Sequence, residues 1–488
     1  MVWQKQIGLT GIIMLWSVAL VFAASTEELS GDARIMHLIN RLSFGPQPGD
    51  FERVKAMGVE RYIQAQLSPQ TIAEAPGLVE TVGEIQTLHM MPMTLLQLYD
   101  TPKPPPGQKQ DPDVVKAARQ KAKIILKEAR EARLMRAIYS NRQLQEVMVD
   151  FWFNHFNIYS DKNQDLLWLG AYEEQAIRPY VLGRFRDLLG ATAHHPAMLV
   201  YLDNAQNHVN HSKNALEGLN ENYAREIMEL HTMGVDGGYT QQDVIALARI
   251  LTGWGPCNLN TPSTNSFGFC FRPNRHDKDD KVFLGKTIHA SGESEGEEAL
   301  DMLAKNPATA HHISYQLAQY FVADSPPKAL VDQLARRYLQ TDGNIREVLN
   351  TLFHSQTFWS IADTGNKYKT PYHYMVSAVR ASGLSVANYQ IIVNRLNQMG
   401  MPLYSCLTPD GYKNTKVDWL NPDALLQRLN FVSAFTTAHM DPGKKVDPNQ
   451  LDNTLGDVFS DASRERINAA PEGIRAALML ASPEFMYF

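Results

Sequence analysis

Cysteine is scarce in this chain of 488 residues, which holds only Cys257, Cys270 and Cys406. Three thiols cannot build a disulfide framework, and no C-x-x-C or Cys/His spacing points to a zinc site. Strand-like alternation is also scarce. The best runs, Gly268 to Arg272 and Val282 to Ile288, suffice for at most one short β-hairpin. No G-x-S-x-G elbow, G-x-G-x-x-G turn, phosphate-cradling loop or H-E-x-x-H helix is present, so the familiar serine-hydrolase, dinucleotide, nucleotide and zincin patterns find no support. A basic excess is missing too. The formal charge is −6, which argues against bulk attraction to nucleic acid.

What is present begins with an apolar run from Ile7 to Phe22, preceded by Lys5 and followed by Ala23, Ala24 and Ser25. This layout predicts a secretory signal peptide over residues 1–23, the alternative being an uncleaved anchor, and hence a periplasmic or extracellular protein. Export permits one disulfide. Cys257 and Cys270 flank a loop rich in polar residues and either pair there, leaving Cys406 alone, or stay reduced with it.

From residue 30 to 488 the apolar residues recur mostly at helical spacing. Asp111 before Pro112, Asn306 before Pro307, and Thr240 with Asp243 each read as a helix start. The expectation is a mainly α protein, a large single-domain multi-helix assembly over 30–488. Thr101 to Gln110, Gly255 to Asp280 and His289 to Glu297 read as surface loops.

On a helical wheel, Leu144 to Ile158 places Met148, Phe151, Trp152, His155 and Phe156 on one broad apolar arc and gathers Glu146, Asp150, Asn154 and Asn157 on the remaining strip. An arc that wide means burial on most sides, so His155 belongs inside and the strip faces a cavity rather than bulk water. The segment Asn220 to Met233 puts Glu221, Asn222, Arg225, Glu226 and Glu229 on one arc, with His231 among the apolar residues opposite. One reading is a surface helix in which Arg225 pairs with Glu221 and Glu229. The other packs this helix on the Trp152 helix, so that Glu226 or Glu229 and a histidine share an enclosed polar site able to move protons or hold a metal.

Further candidates are weaker. His276 and Asp277 follow an irregular loop and either line a site or sit in a solvated turn. His208 with His211, and the pairs at His194 and His311, lack a zinc-binding pattern and read as structural or surface residues. Val114 to Tyr139 carries Lys116, Arg119, Lys123, Lys127 and Arg130 along one face. That face is either solvated or meets an anionic envelope surface.

The strings HLINRLSFGPQPGD, EVMVDFWFNHFN, RPYVLGRFRDLLGATAHHPAMLVYLDN, LNENYAREIMELHTMGVDGGYT, ARILTGWG and RHDKDDKVFLG occur in this order. Together they resemble the bacterial family called domain of unknown function 1800, from about His37 to the C-terminus. The resemblance implies an exported protein and, as a partner, an exported protein of the family called domain of unknown function 1501. The family's elements fall on Trp152, Asn154, His155, Asn220, Glu221, Asn222, Arg225, Glu226, Glu229, His231, His276 and Asp277. Asp279 stands where the family usually has glycine, which disfavours a positive φ there. The working expectation is an envelope hydrolase. His155, Glu226, Glu229 and His231 form its centre, Arg225 steadies negative charge, and a divalent metal is held by His155, His231, His276 and Asp277. The alternative is a non-catalytic scaffold or assembly factor with a structural polar network.

Overall fold

In the computed structural model the described residues are 28–105, 107–209, 218–259, 268–361, 365–437 and 444–488. The expected signal peptide and His211 lie outside them. Within them the protein is mainly α, with 24 α-helices and two small antiparallel sheets. The helix starts legible in the sequence are present. Asp111 accepts from the Asp113 N–H, Asn306 from the Ala308 N–H, and Thr240 with Asp243 forms a reciprocal capping box.

Buried apolar side chains from Ile35 to Met486 form one contiguous core. Trp152, buried in its middle, packs against Phe151, Phe156 and Phe185, and its indole N–H donates to the Val181 carbonyl at 3.0 Å. Burying so large an apolar ring is favourable only when its one polar atom is paired.

The strands differ from the single hairpin expected. Trp254–Pro256 (β1) pairs with Phe269–Phe271 (β2), and Lys281–Phe283 (β3) pairs with Lys286–Ile288 (β4). The second hairpin turns on Leu284 and Gly285, at φ 47° and 76°. A leucine seldom adopts positive φ, so the sequence run gives no sign of a two-residue turn inside it. Cys257, just after β1, is disulfide-bonded to Cys270 within β2. The loop expected over His289 to Glu297 ends early, because a helix already spans Glu293–Ala304. Its start is fixed by Glu295, whose carboxylate accepts from the Ser291 and Gly292 N–H groups at 2.9 and 3.0 Å.

Candidate active site

The Trp152 helix, Gln143–His155, positions the site. Each member of its polar strip is bonded to another segment. Glu146 pairs with Arg178 at 2.7 Å and Asp150 with Arg133 at 2.6 Å. Asn154 grips one residue twice, its amide donating to the Tyr412 carbonyl and its side-chain oxygen accepting the Tyr412 N–H, both at 2.7 Å. Asn157 donates to the carbonyls of Cys406 and Thr408 at 3.1 and 2.9 Å. The two asparagines therefore fasten the 402–415 segment against the helix and place Asp410, Tyr412 and Lys413.

That latch requires Gly411. Its φ is +66°, and a Cβ there would lie 2.3 Å from the Asn154 carbonyl oxygen. Gly411→Ala should break the Asn154–Tyr412 pairing, cost about 2 kcal/mol or more, and expose 402–415 to proteolytic nicking. Wild-type denaturation and digestion patterns would show that the latch is dispensable.

The helix carrying Glu226 and Glu229 spans Asn222–Glu229, four residues short of the Met233 suggested by apolar spacing. Gly234, at φ 83°, turns the chain back so that its N–H reaches the Met228 carbonyl at 3.2 Å. The carbonyls left open past the helix end are met from elsewhere. His312 on Pro307–Phe321 donates its Nε2–H to Leu230 at 3.3 Å, and His155 donates its Nε2–H to His231 at 3.1 Å. On the outer face Arg225 bonds Glu221 at 3.1 Å, Glu229 at 3.4 Å and Gln241 at 2.8 Å, as the surface-helix reading expects.

Between these elements lies a cleft of about 400 Å³. His155, Glu229, His312, Lys367, His373 and Asp410 line it from five segments, together with Phe151, Tyr320 and Tyr412. Burial pushes His155 down to about 3, with the neighbouring His312 adding to it. Burial likewise lowers His312, and it lowers His373 strongly, with Lys369 and Arg41 adding positive charge nearby. The imidazoles are therefore neutral at pH 7. Burial raises the Glu226 carboxyl, helped by the charges of Glu229 and Asp410. At Asp410 burial acts upward but is outweighed by hydrogen bonds from Lys413 and Thr408, which lower it. His373 Nε2 finds no hydrogen-bond partner among the described residues, which leaves a polar atom at the cleft for a ligand to meet.

The structure brings some of the expected site residues together and not others. His155 and Glu229 share the cleft. His231 and Glu226 do not line it; His231 is buried, its ring packing 5.0 Å from Phe156 and 5.8 Å from His155, and Glu226 is half-buried. Arg225 stays on the outer face. His276 and Asp277 belong to a separate buried knot. His276 uses Nδ1 on the Thr252 carbonyl at 2.9 Å and Nε2 on Glu295 at 3.0 Å. Asp277 accepts from Arg249 at 2.6 and 3.1 Å and from the Asp279 N–H at 3.0 Å. Asp279 is absent from the positive-φ residues, so this loop needs no glycine there.

The expected metal set fails a fit test on these contacts. Both His276 nitrogens and both Asp277 oxygens are already taken, and His155 spends Nε2 on a carbonyl. Among the described residues no group of three or more His, Cys, Asp or Glu is placed to hold a metal ion.

Sequence reasoning missed His312, His373, Asp410 and Lys413. His311 and His312 were visible as a pair, but helical spacing alone gave no reason to separate the exposed His311 from His312. Asp410 and Lys413 lie on a segment without regular structure, and the long-range bonds of Asn154 and Asn157 bring them to the cleft.

A family model described as a protein of unknown function, DUF1800, matches residues 37–487. The chain belongs to the DUF1800 family. No curated protein and no solved structure matches it. The DUF1800 match covers every residue of the cleft lining except Phe488. Any function of the family must therefore be argued from the site's own chemistry.

Proposed function

We propose that this DUF1800 protein is a cell-envelope hydrolase acting in the cleft. Glu229 takes the proton of the attacking water. Lys413, held at Asp410, steadies the developing negative charge in the place first assigned to Arg225. His155 and His312 stay neutral and anchored on carbonyls, serving as hydrogen-bonding groups. At about 3, His155 is too weak a base to drive proton transfer at neutral pH.

The observation carrying this reading is the convergence of Glu229, Asp410 and three neutral imidazoles in one concave site built from separate segments. The signal-like N-terminus and the Cys257–Cys270 disulfide support an exported location. A working partner from the family called domain of unknown function 1501 belongs to the same proposal. The expected metal plays no part in it, because His276 and Asp277 are bound in a separate knot and no group of three or more His, Cys, Asp or Glu among the described residues is placed to hold one.

A second reading, the non-catalytic assembly factor, draws on the bonding of Glu146, Asp150, Asn154 and Asn157, all of which serve to join segments. The two are separated by Glu229→Gln, assayed on p-nitrophenyl acetate, butyrate, phosphate, β-glucoside and N-acetylglucosaminide. Turnover of at least one probe should fall about 10²-fold or more in the variant, at an unchanged melting temperature. A rate unmoved by the substitution overturns the role of Glu229. Absence of turnover by the wild-type protein across the panel overturns the hydrolase in favour of the assembly factor.

A further inference from the structure

The charged groups lining the cleft are already engaged within the protein. Asp150 pairs with Arg133 at 2.6 Å, Glu229 with Arg225 at 3.4 Å, Asp410 with Lys413 at 2.5 Å and Lys367 with Asp324 at 2.5 Å, while Asp418 accepts from the Thr415 hydroxyl. Both lysines of the lining hold a carboxylate, so an anionic ligand would have to displace one. The amide N–H groups of Asn154 and Gln319 are spent as well, on the carbonyls of Tyr412 and Asp324 at 2.7 and 3.1 Å.

The groups left unmet are neutral. His373 Nε2 and Asn414 Oδ1, both on residues of the lining, have no hydrogen-bond partner among the described residues. An amide oxygen only accepts, and a neutral imidazole presents one nitrogen as an acceptor. Leaving such a buried atom unpaired costs about 1–3 kcal/mol. Five aromatic side chains, Phe151, Tyr320, Tyr368, Tyr412 and Phe488, line the same cleft. Tyr320 and Tyr412 are only half-buried, and the Tyr412 hydroxyl is spent on the Pro402 carbonyl at 2.9 Å, so Tyr412 offers ring surface rather than a polar tip.

We infer that the cleft, on the reading that it is the site of action, binds a neutral saccharide. A sugar ring carries hydroxyl donors around its edge and C–H groups on its faces, so one molecule meets unpaired acceptors and aromatic surface together. A purely apolar ligand would leave His373 and Asn414 unpaired. A peptide would bring one carbonyl for every N–H, and the amide donors of Asn154 and Gln319 that could answer those carbonyls are already used. At about 400 Å³ the cleft stands near the lower end of ligand sites, which run from roughly 300 to 1,000 Å³, and it suits a short stretch of glycan.

The test is isothermal titration calorimetry of the full chain with the trisaccharides of β-1,4-linked N-acetylglucosamine, β-1,4-linked glucose and α-1,4-linked glucose, beside N-acetyl-trialanine amide and inorganic phosphate. At least one trisaccharide should bind with a Kd below about 1 mM, and neither the peptide nor phosphate should. His373→Phe and Asn414→Ala, each shown by circular dichroism to keep the fold, should weaken that binding about fivefold, the loss of one hydrogen bond. Glu229→Gln keeps the shape of the cleft and removes only the proposed base, so it should bind the trisaccharide while losing turnover. A trisaccharide bound without turnover of any hydrolytic probe removes the hydrolase and leaves the saccharide site standing. Absence of binding by all three trisaccharides overturns the saccharide site, and turnover of an ester or phosphate probe would then leave the hydrolase standing. Tighter binding of the peptide or of phosphate, or a trisaccharide affinity changed by neither His373→Phe nor Asn414→Ala, would overturn it as well.

Discussion

Between pH 6.5 and 5 the protein should lose stability steeply, at about 1.4 kcal/mol per pH unit for each proton that the unfolded chain binds in excess of the folded one. Burial pushes His37, His155 and His195 down to about 3, and pushes His231 and His373 well below the ordinary histidine value. In the unfolded chain all five titrate near 6.5. Below that pH the unfolded state binds protons that the folded state refuses, so acid favours unfolding. The contribution of these residues is complete above 6.5 and is lost as pH falls toward 3. Asp150 and Asp165 act in the opposite sense, because burial raises their carboxyls and lets the folded state bind protons first. The five histidines outnumber the two carboxyls, and each proton bound in excess by the unfolded chain is worth about 1.4 kcal/mol per pH unit. Against a total stability of about 5–15 kcal/mol, a loss of several kcal/mol is a large fraction of the whole. Denaturant midpoints at pH 7.5, 6 and 5, with proton uptake measured on unfolding, check it. A midpoint constant from pH 7 to 5 would mean that the histidines are hydrated or paired.

Those histidines also show how far the sequence could be read. The apolar neighbours of His155 at helical spacing place it inside, and it is buried because a wide apolar arc leaves a helix few exposed faces. Its partner could not be read, since the Leu230 and His231 carbonyls become available only where Gly234 ends the helix early. The capping signals at Asp111, Thr240 and Asn306 were legible because they act within four residues. His276 was visible as a polar residue in a loop, but its engagement by Thr252 and Glu295 depends on segments 24 and 19 positions away. Short-range chemistry was therefore readable from the chain. Which polar groups meet across the core was not, and that decides which histidines face the cleft.

Arg133 illustrates the same limit and carries the other large effect. Replacing it with Met should cost about 3–5 kcal/mol, the range for removing one partner of a buried ion pair. The guanidinium bonds Asp150 at 2.6 Å and Glu173 at 3.1 Å, and lies over the rings of Phe153, Tyr372 and Tyr404. Burial opposes its charge, yet Glu173 and Asp150 hold its pKa well above the ordinary value. Without it, Glu173 keeps Arg178 at 3.3 Å and the Tyr404 hydroxyl at 2.9 Å, while Asp150 loses its ion-pair partner. Asp150 lines the cleft and its carboxyl is already raised by burial against the lowering effect of Arg133, so in the variant it should take up a proton at a higher pH than in the wild-type protein. Acidification should then cost the variant less stability than it costs the wild-type protein. Adding Asp150→Asn should remove that difference and restore part of the loss, because the uncompensated charge goes with it. For comparison, Arg225→Met on the outer face should cost no more than about 1 kcal/mol despite its two carboxylate partners, since solvent screens an exposed pair. Equal losses at the two positions would mean that the Arg133 network is open to water, and the enclosure ascribed to the cleft's Asp150 side would fail with it.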